Sequence, residues 1–538
     1  MNPAKKLVPF ISMLLVTGSV VAQQVYTDRP HYLAGDTVRY AIIHEQSPDL
    51  LLRVRFTGMN HNPHADQMIA FENGMATGKI SVSDSLSAGV YSLNIFSLNR
   101  STPLLSHPVT VFKYPLHSGQ PPALPVYVKQ AYNTSFTVEA EANNRKATDH
   151  TVTIDLNLND GSYNGPLAVS VTDGRQVPLS PVNHLNDTIH WDAKGVNTVS
   201  LSGTLRQKNT GNLLTNRMII LSATSGTPLF KYTYTDNKGH FQFKNLRYEE
   251  GTRLLISLNP MNNEANPFPL AVNDLNTIPS PDAHYALNLR AADIKLELNH
   301  KTGVIARFMD YKSKVTGGLE VYENTKPFSW GKTLAESEHL DVHVDFDVFA
   351  SLGNMDEVVR DVIPFLSLKS KKNNPYFQVF SPEKRASFPE NPLFFIDGVP
   401  HTDPGAFLSL SPENLQYVSV ITTTNNLRKF GVLGSRGVVI VRTRGKATPD
   451  LDHSVVVVPR GITRSTNNGI FNPKPDAVQR PDFRRTLFWN PAVMPDKKGN
   501  YRFTLTPSSA MNAVMITVEY EHNGKRYRNT IALNQAEL

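Results

Sequence analysis

The sequence contains no cysteine, and this single absence excludes several kinds of structure and chemistry. Without disulfides, every domain of the 538-residue chain must be held together by its own apolar core. A thiol nucleophile, a thiolate metal site and the lipid anchor of a bacterial lipoprotein are excluded for the same reason. Because single domains usually contain about 100–150 residues, we expect a chain of this length to form about three to five of them.

A long uninterrupted apolar run is also missing. A membrane-spanning helix needs about 20 consecutive apolar residues, and no run beyond residue 22 approaches that length. Residues 1–22 combine Lys5 and Lys6 with an apolar stretch, interrupted by Pro9, that ends at the small residue Ala22. This arrangement is typical of a cleaved secretory signal peptide. We therefore expect an exported protein whose mature chain has no transmembrane span.

The sequence also lacks the known catalytic and cofactor-binding motifs. The sequence has no H-E-x-x-H metalloprotease helix, no G-x-S-x-G nucleophile elbow, and neither a phosphate loop nor a dinucleotide loop. The glycine-rich stretch 431–437 lacks the lysine of a phosphate loop, and an apolar β-branched run follows it where a helix would be needed. We therefore predict a turn there, no cofactor, no catalytic or cofactor-binding residue, and no enzymatic activity.

Charged residues are present but unevenly distributed. The formal net charge is +7 at pH 7, and the basic excess is concentrated in residues 442–538. An end of this kind fits an anionic membrane surface or an acidic partner, although a well-solvated protein face has the same composition. No nucleic acid is expected as a partner, because the predicted export and the lack of a nucleic-acid-binding motif argue against it.

Residues 339–347 alternate strictly between polar and apolar side chains. On a strand this alternation places His339, His343 and Asp345 on one face, together with two further aspartates. Imidazole and carboxylate groups bind divalent metals, so a metal site or a hydrolase active site on this face is one alternative. The same alternation is typical of any half-exposed strand, and no second element supplies further ligands, so we predict that no metal binds.

Three apolar strand signals and two glycine turns are present within residues 392–446. The strand signals are residues 393–396, 417–421 and 438–441. Residues 396–400 (I-D-G-V-P), 411–421 and 430–444 match, in order and spacing, motifs of the plug domain of TonB-dependent outer-membrane receptors, above all the nutrient receptors of Bacteroidota, and this stretch resembles that domain. Residues 353–366 have helical spacing, with Asn354 as the predicted N-cap. The resemblance therefore implies a small α/β plug-like domain over residues 342–446.

The resemblance also indicates particular residues as fold determinants or binding positions. These motif residues are Asp397, Gly398, Asp403, Gly434, Arg436 and Gly437. We expect functional contacts on the exposed loop 401–412. A 22-stranded receptor barrel needs at least about 220 residues, which is more than follow residue 446, so the plug-like domain is expected without a barrel.

Other stretches resemble β-sandwich modules. Residues 25–40, with the motif T-D-R-P-H-Y, resemble a macroglobulin domain of the MG2 type in the α2-macroglobulin family, and residues 165–173 and 485–503 resemble further sandwiches of this kind. Residues 234–243 resemble the carboxypeptidase-regulatory-like, transthyretin-like domain, which is a non-catalytic sandwich. The thioester that makes an α2-macroglobulin a protease trap requires a cysteine, so only the fold of that family is expected here.

We therefore predict a mainly β protein that contains several tandem immunoglobulin-like or macroglobulin β-sandwiches and one small α/β plug-like domain near the C-terminus. The predicted segments are 1–22 (signal peptide), 23–115 (MG2-like sandwich), 126–185 (second macroglobulin-like sandwich), 198–298 (carboxypeptidase-regulatory-like sandwich), 299–341 (unassigned β segment), 342–446 (plug-like domain), 447–481 (linker) and 482–538 (C-terminal β segment of macroglobulin type).

These features together suggest a non-enzymatic binding or scaffold protein of the Gram-negative envelope, in the periplasm or associated with the outer membrane. Its partner would be an envelope protein or a peptide ligand, which includes a TonB-dependent outer-membrane receptor, and the plug-like domain would be the docking module. One alternative is an accessory component of TonB-dependent nutrient uptake that acts with a separate outer-membrane barrel. The other is a hydrolase with an unrecognised site.

Overall fold

The structure is a computed structural model, and it describes 20 stretches of the chain. The described residues are 24–29, 31–43, 49–58, 63–87, 89–98, 103–112, 138–146, 151–158, 163–173, 196–224, 229–259, 270–276, 341–348, 353–371, 374–444, 454–463, 469–472, 485–507, 513–522 and 525–534. The predicted signal peptide, most of segment 299–341 and His339 lie outside them. Within the described stretches, no helix is both long and apolar enough to cross a membrane. Strands far outnumber helices, which confirms the predicted mainly β fold class.

The first sandwich contains two sheets built from the N-terminal part of the chain. One sheet has the order β1 (Gln24–Thr27), β3 (Thr37–Ile43), β6 (Met75–Ser81). The other has the order β2 (His31–Leu33), β8 (Leu105–Phe112), β7 (Gly89–Ser97), β4 (Leu50–Thr57), β5 (Pro63–Phe71), β27 (Ile462–Thr463). Alternation along β4 directs Leu52, Val54 and Phe56 into the core between the sheets.

The second sandwich combines strands from two distant parts of the sequence. One sheet has the order β29 (Tyr501–Leu505), β10 (Thr151–Leu158), β9 (Val138–Lys146). The other has the order β28 (Thr486–Val493), β11 (Leu167–Asp173), β30 (Ala513–His522), β31 (Lys525–Asn534). Val169, Phe488 and Ile516 belong to one buried core between these sheets.

This pairing corrects the prediction of separate units over residues 126–185 and 482–538. Strand β11 lies between β28 and β30, so that Ser170 pairs with Trp489 on one side and with Thr517 on the other. The three described strands of the earlier segment cannot cover an apolar sheet face by themselves, and the C-terminal strands supply the missing partners.

The third sandwich has the same layered arrangement. One sheet has the order β15 (His240–Leu246), β12 (Val199–Gln207), β17 (Leu270–Asn276), and the other has the order β14 (Phe230–Tyr234), β13 (Met218–Ala223), β16 (Leu254–Leu258), β26 (Ser454–Val457). Within the stretch 234–243, a turn forms at residues 236–239, where the Asp236 carboxylate accepts hydrogen bonds from the backbone N–H groups of Lys238 (2.7 Å) and His240 (2.9 Å). Gly239 has φ 71°, and Phe241 is buried.

Strand β26 lies in the stretch 447–481, which was predicted to be a linker, and this prediction was wrong for the part that forms a strand. Val455 pairs with Ile256, and Val457 pairs with Leu254, in register along β16. The strand forms because β16 has an edge open for pairing and because Val455 and Val457 pack on the apolar core of the third sandwich.

The α/β unit contains a five-stranded mixed sheet and a smaller three-stranded sheet. The large sheet has the order β18 (Val342–Asp345), β24 (Leu415–Ile421), β25 (Val438–Thr443), β22 (Leu393–Ile396), β23 (Val399–His401), and the small sheet has the order β19 (Leu366–Lys371), β20 (Asn374–Ser381), β21 (Ala386–Ser387). The helical segments are α1 (Met355–Glu357), which continues as a π-helical turn (Val358–Val362), α2 (Pro404–Leu408), α3 (Thr424–Leu427) and the 3-10 segments Phe346–Val348, Pro412–Asn414 and Arg428–Arg436.

The three strand signals of the sequence become β22, β24 and β25 at the centre of the large sheet. β22 and β25 are parallel, while β24 and β25 are antiparallel. The predicted N-cap is also present, because the Asn354 side chain accepts a hydrogen bond from the backbone N–H of Glu357 at 3.0 Å. Met355, Val358 and Val359 are buried in the same core as the three strands.

Three of the four units are nested within one another along the chain. In chain order, the described elements belong to the first sandwich (24–112), the second (138–173), the third (199–276), the α/β unit (342–443), the third again (454–457), the first again (462–463) and the second again (486–534). The α/β unit is therefore inserted between two strands of the third sandwich, which is itself inserted between two strands of the second.

Candidate functional site

The Asp397-Gly398 turn joins β22 to β23 and contains two of the predicted motif residues. Both have positive φ, 49° and 86°, as a two-residue type I′ hairpin turn requires. The buried Asp397 carboxylate accepts hydrogen bonds from the backbone N–H of Thr443 at 2.9 Å and from its hydroxyl at 2.6 Å. The Arg442 guanidinium lies 3.4 Å from the same carboxylate. Asp397 therefore fixes the hairpin to the end of β25.

The tip of this hairpin contacts the third sandwich. The Ser222 hydroxyl donates a hydrogen bond to the carbonyl oxygen of Gly398 at 2.6 Å. A Cβ at Gly398 would lie 2.5 Å from the carbonyl oxygen of Ala223, which is closer than real Cβ contacts allow. Gly398 is therefore required for a close approach between two units as well as for the turn.

An apolar interface extends from this contact. Phe230 on β14 packs against Phe395 at 5.2 Å and against Phe430 at 5.0 Å, measured between ring centroids. Gly431, with φ 56°, leaves room for the Tyr232 ring, which a Cβ at this position would overlap. Met218 and Ile220 of the third sandwich are buried in the same cluster as the α/β core. Aromatic contacts and apolar burial of this kind fix the two units to each other.

The other predicted motif residues occupy separate positions in the α/β unit. Gly434 packs against the backbone carbonyl of Leu427, and Gly437, with φ 85°, packs against Val379. Arg436 forms a half-exposed ion pair with Glu390, with 2.5 Å between Nη1 and Oε2. These residues make structural contacts and do not converge on a common cleft with Asp397.

The loop 401–412, on which functional contacts were expected, contains helix α2. Asp403 is its N-cap, because the carboxylate accepts a hydrogen bond from the backbone N–H of Gly405 at 3.0 Å. Phe407 anchors the helix by packing on Phe394 at 5.1 Å and on Phe377 at 5.5 Å. Asp403, Gly405, Ser409 and Ser411 are exposed. The loop is therefore held to the core by the buried Phe407 ring, while its polar residues are exposed.

The candidate metal ligands do not come together in the part of the chain that the structure describes. His343 Nδ1 lies 2.9 Å from the Ser419 hydroxyl, and the imidazole packs against the Tyr417 ring at 5.1 Å. The Asp345 carboxylate accepts a hydrogen bond from the backbone N–H of Asp347 at 2.9 Å. Across the described stretches, no group of three or more His, Cys, Asp or Glu side chains is arranged to hold a metal ion.

Asp341, one of the two further aspartates on the predicted polar face, has a structural role that the sequence did not indicate. Its carboxylate accepts hydrogen bonds from the backbone N–H groups of Thr422 (2.5 Å) and Thr423 (2.6 Å) and from the Asn426 amide (2.8 Å). Partial burial acts to raise the pKa of Asp341, but the hydrogen bonds from Thr423 and Thr422 outweigh it and lower the pKa below its ordinary value. The carboxylate thereby holds the start of α3 from a position 81 residues away, which no local sequence pattern reveals.

A second buried polar cluster joins the first and second sandwiches. Asp28, which belongs to the T-D-R-P-H-Y motif, accepts hydrogen bonds from the Tyr32 hydroxyl at 2.6 Å and from the Thr486 hydroxyl at 2.7 Å. The Ser170 hydroxyl donates to the Asp28 carbonyl oxygen at 2.5 Å, and the buried Arg485 guanidinium pairs with Asp36. Burial, followed by the charge of Asp28, raises the pKa of Tyr32. Asp28 and Asp36 therefore contribute to an interface between two sandwiches.

Comparison with known proteins adds little to this geometry. No family model matches the chain, and no curated protein sequence matches it. Among solved structures, trypsin-activated alpha-2-macroglobulin from Escherichia coli is similar at 7% identity and a TM-score of 0.23, over 96% of this chain and 41% of that one. Salmonella alpha-2-macroglobulin reacted with methylamine is similar at 7% identity and a TM-score of 0.24, over 95% and 39%.

A biofilm-associated protein, in its BSP domain, is similar at 10% identity and a TM-score of 0.14, over 49% of this chain and 30% of that one. The chain therefore spans about two fifths of the length of the alpha-2-macroglobulins and less of the biofilm protein. Similarities at these TM-scores and identities support no functional conclusion for this protein.

Proposed function

We propose that this chain is a non-enzymatic, exported binding protein of the Gram-negative envelope, in which the sandwiches are the framework and the α/β unit is the docking module. The observation that supports this proposal is the interface described above. The contacts of Gly398, Phe230 and Gly431 fix the α/β unit on the third sandwich through a buried apolar surface. A unit mounted in this way presents its outer surfaces at a fixed orientation, which reduces the ordering cost of binding.

The direct test is capture of partners by the full-length chain carrying a C-terminal tag. Cells would be fractionated, and the tagged protein would be recovered from the envelope fraction and from the cytoplasm. We expect it in the envelope fraction together with at least one envelope protein. A cytoplasmic location without an envelope partner would contradict the proposal.

Point variants in loop 401–412 and at the adjacent Glu413 are preferable to a deletion, because removal of residues 392–446 would take away four of the five strands of the large sheet. Ser409→Arg and Glu413→Arg change exposed side chains and leave the Phe407 anchor intact. If this loop is the docking surface, the double variant should fold as the wild type does and lose its partner.

A second candidate function is participation in TonB-dependent nutrient uptake, with the α/β unit in contact with a separate outer-membrane barrel. The resemblance of residues 392–446 to receptor plug domains is the observation that favours it. Under this proposal, the Ser409→Arg/Glu413→Arg strain should grow poorly on one specific nutrient and normally on others. Normal growth on every nutrient, with partner capture still lost, would support the binding function without transport.

A further inference from the structure

The small sheet of the α/β unit has one exposed face that no other described element covers. Strand pairing places Phe365 opposite Phe380, and Lys369 opposite Tyr376. Alternation directs Leu366 and Leu368 toward the core and leaves Phe365, Lys369 and Lys371 on the outer face. We call this surface, with Phe380 and Tyr376, the hairpin face.

The two phenylalanines of the hairpin face are stacked in solvent. Their ring centroids lie 6.3 Å apart with an interplanar angle of 28°. Phe365 is 40% exposed and Phe380 is 39% exposed, so neither ring gains the free energy of full burial. An exposed pair of aromatic side chains with a polar surround is typical of a binding surface.

Phe365 is also strained. Its φ is 63°, in the left-handed region, at the turn that follows Pro364. A turn position with positive φ favours glycine or asparagine, and another L-residue there costs roughly 1–2 kcal/mol. Because 40% of Phe365 is exposed, packing within the folded chain offsets that cost only in part. Strain of this kind at an exposed aromatic residue indicates a functional position.

Four basic residues surround the aromatic pair, and two of them, Lys369 and Lys371, form no ion pair with a carboxylate in the described part of the chain. These cations are Lys369, Lys371, Lys384 and Arg385, and all four are exposed. Lys384 lies over the Phe388 ring at 5.0 Å. The neighbouring Glu383 instead accepts a hydrogen bond from the backbone N–H of Thr424 at 2.8 Å. The hairpin face therefore carries an excess of positive charge.

The outer edge of β19, beside the hairpin face, is open for pairing with another strand. Among the described strands, β19 pairs with β20 alone, so one row of its backbone N–H and C=O groups is open. An open edge accepts an added strand, and side chains at alternate positions of that strand meet those of β19. A second copy of this chain is disfavoured as the added strand, because lysines would face lysines or lie close to them.

We propose that β19 binds an extended acidic segment of another protein by strand addition. Acidic side chains at two alternate positions of this segment would pair with Lys369 and Lys371, and an aromatic side chain would stack on Phe365. This inference rests on the proposed docking function of the α/β unit and assigns to it the chemistry of one ligand. The ligand is recognised by its backbone, its alternating charge and one aromatic ring.

The test uses the full-length chain and a fluorescein-labelled, N-acetylated nonapeptide, F-T-E-T-E-T-E-T-F. In a parallel or an antiparallel alignment, this peptide places a phenylalanine opposite Phe365 and glutamates opposite Lys369 and Lys371. Binding is measured by fluorescence anisotropy at low and at physiological salt. Lys369→Gln/Lys371→Gln should weaken binding about tenfold, since cross-strand ion pairs contribute roughly 0.2–1 kcal/mol each. Lys231→Gln/Lys244→Gln, which changes two exposed lysines of the third sandwich, should leave binding unchanged.

Phe365→Asn separates binding from folding, because asparagine accepts the left-handed conformation. It should weaken peptide binding about fivefold while leaving the thermal midpoint unchanged or raised. A peptide with glutamine at the three glutamate positions, and one with proline at the fourth and sixth positions in place of threonine, should both bind poorly. The proline peptide tests the backbone pairing and the glutamine peptide tests the charge.

Several results would overturn this inference. These are equal binding of the glutamine peptide, no effect of the Lys369/Lys371 variant, or no peptide binding at all. Vesicles containing phosphatidylglycerol are a further arm, and binding of vesicles but not peptide through the same lysines would identify a membrane surface instead. A dimer that the lysine variant dissociates would identify a second copy as the occupant. If the lysine variant still captures the envelope partner, the docking function stands and this inference fails.

Discussion

At the scale of single residues, most of the motif positions act through contacts that the sequence could not show. Asp397 and Gly398 form the predicted turn, but Gly398 is also pressed against the backbone of the third sandwich. Asp403 is a helix cap, and Arg436 is a surface ion pair. Sequence patterns identified these residues because turns and caps are local, whereas the partners of Gly398 lie about 175 residues earlier in the chain.

Gly398→Ala should destabilise the protein for two reasons, and a matched variant separates them. Alanine at φ 86° is strained by roughly 1–2 kcal/mol, and its Cβ meets the Ala223 carbonyl oxygen. Gly251 has a similar φ of 79° with nothing near a Cβ, so Gly251→Ala reports the backbone strain alone. We expect Gly398→Ala to lower the free energy of unfolding in urea by about 2 kcal/mol more. Equal losses would show that the interface contact is unimportant.

Asp341 should make stability depend on pH in the acid range. Its pKa is lower in the folded protein than its ordinary value, so the unfolded chain binds the proton more readily. The contribution of Asp341 is therefore fully present above the unfolded-state pKa, about 3.9, and is lost as the pH falls through the lower folded-state pKa. Asp341→Asn should reduce stability at pH 7 by about 1–3 kcal/mol and flatten the profile below about pH 4. An unchanged acid profile in this variant would contradict the assignment.

At the scale of elements, strands are placed where the sequence offers apolar alternation, but their partners are chosen in three dimensions. Strand β26 was predicted to be part of a linker because its surroundings are rich in proline and polar residues. Two of the four consecutive valines at 455–458, Val455 and Val457, nevertheless pack on the core of the third sandwich. A short strand at a sheet edge gives a weak local signal, and only the open edge of β16 makes it a strand.

Val455→Asp should therefore destabilise the third sandwich, whereas Val458→Asp should not. Val455 packs against the apolar core, and a carboxylate placed there costs roughly 2–3 kcal/mol. Val458 is 61% exposed and has no comparable contact. Chemical denaturation of the two full-length variants measures the difference. If the segment is a linker in solution, both substitutions will have the same small effect.

At the scale of the whole molecule, the nested insertions decide which segments depend on each other. The second sandwich is completed by strands more than 300 residues after its first strands, and the link between sandwiches runs from Asp28 to Thr486. The domain string read along the sequence was therefore wrong in treating residues 126–185 and 482–538 as separate units. Each of them alone would leave an apolar sheet face uncovered.

Removal of residues 486–538 should unfold the second sandwich and leave the α/β unit intact. Hydrogen exchange measures this directly, because the amides of β11 lose both neighbouring strands whereas those of β25 keep theirs. We expect exchange in β11 to become fast in the truncated chain and exchange in β25 to stay slow. Continued protection of β11 would show that the N-terminal segment folds without its C-terminal partners.

The sequence by itself determined the local features: the mainly β class, the Asp397-Gly398 hairpin, the Asn354 cap and the three central strands of the α/β unit. These follow from alternation, turn chemistry and capping, which act over a few residues. The tertiary structure alone decided the nesting, the buried Asp28 cluster, the close approach at Gly398 and the open, charged edge of β19. These depend on which surfaces meet, and burial of apolar area is non-directional, so no short stretch of sequence specifies its partner.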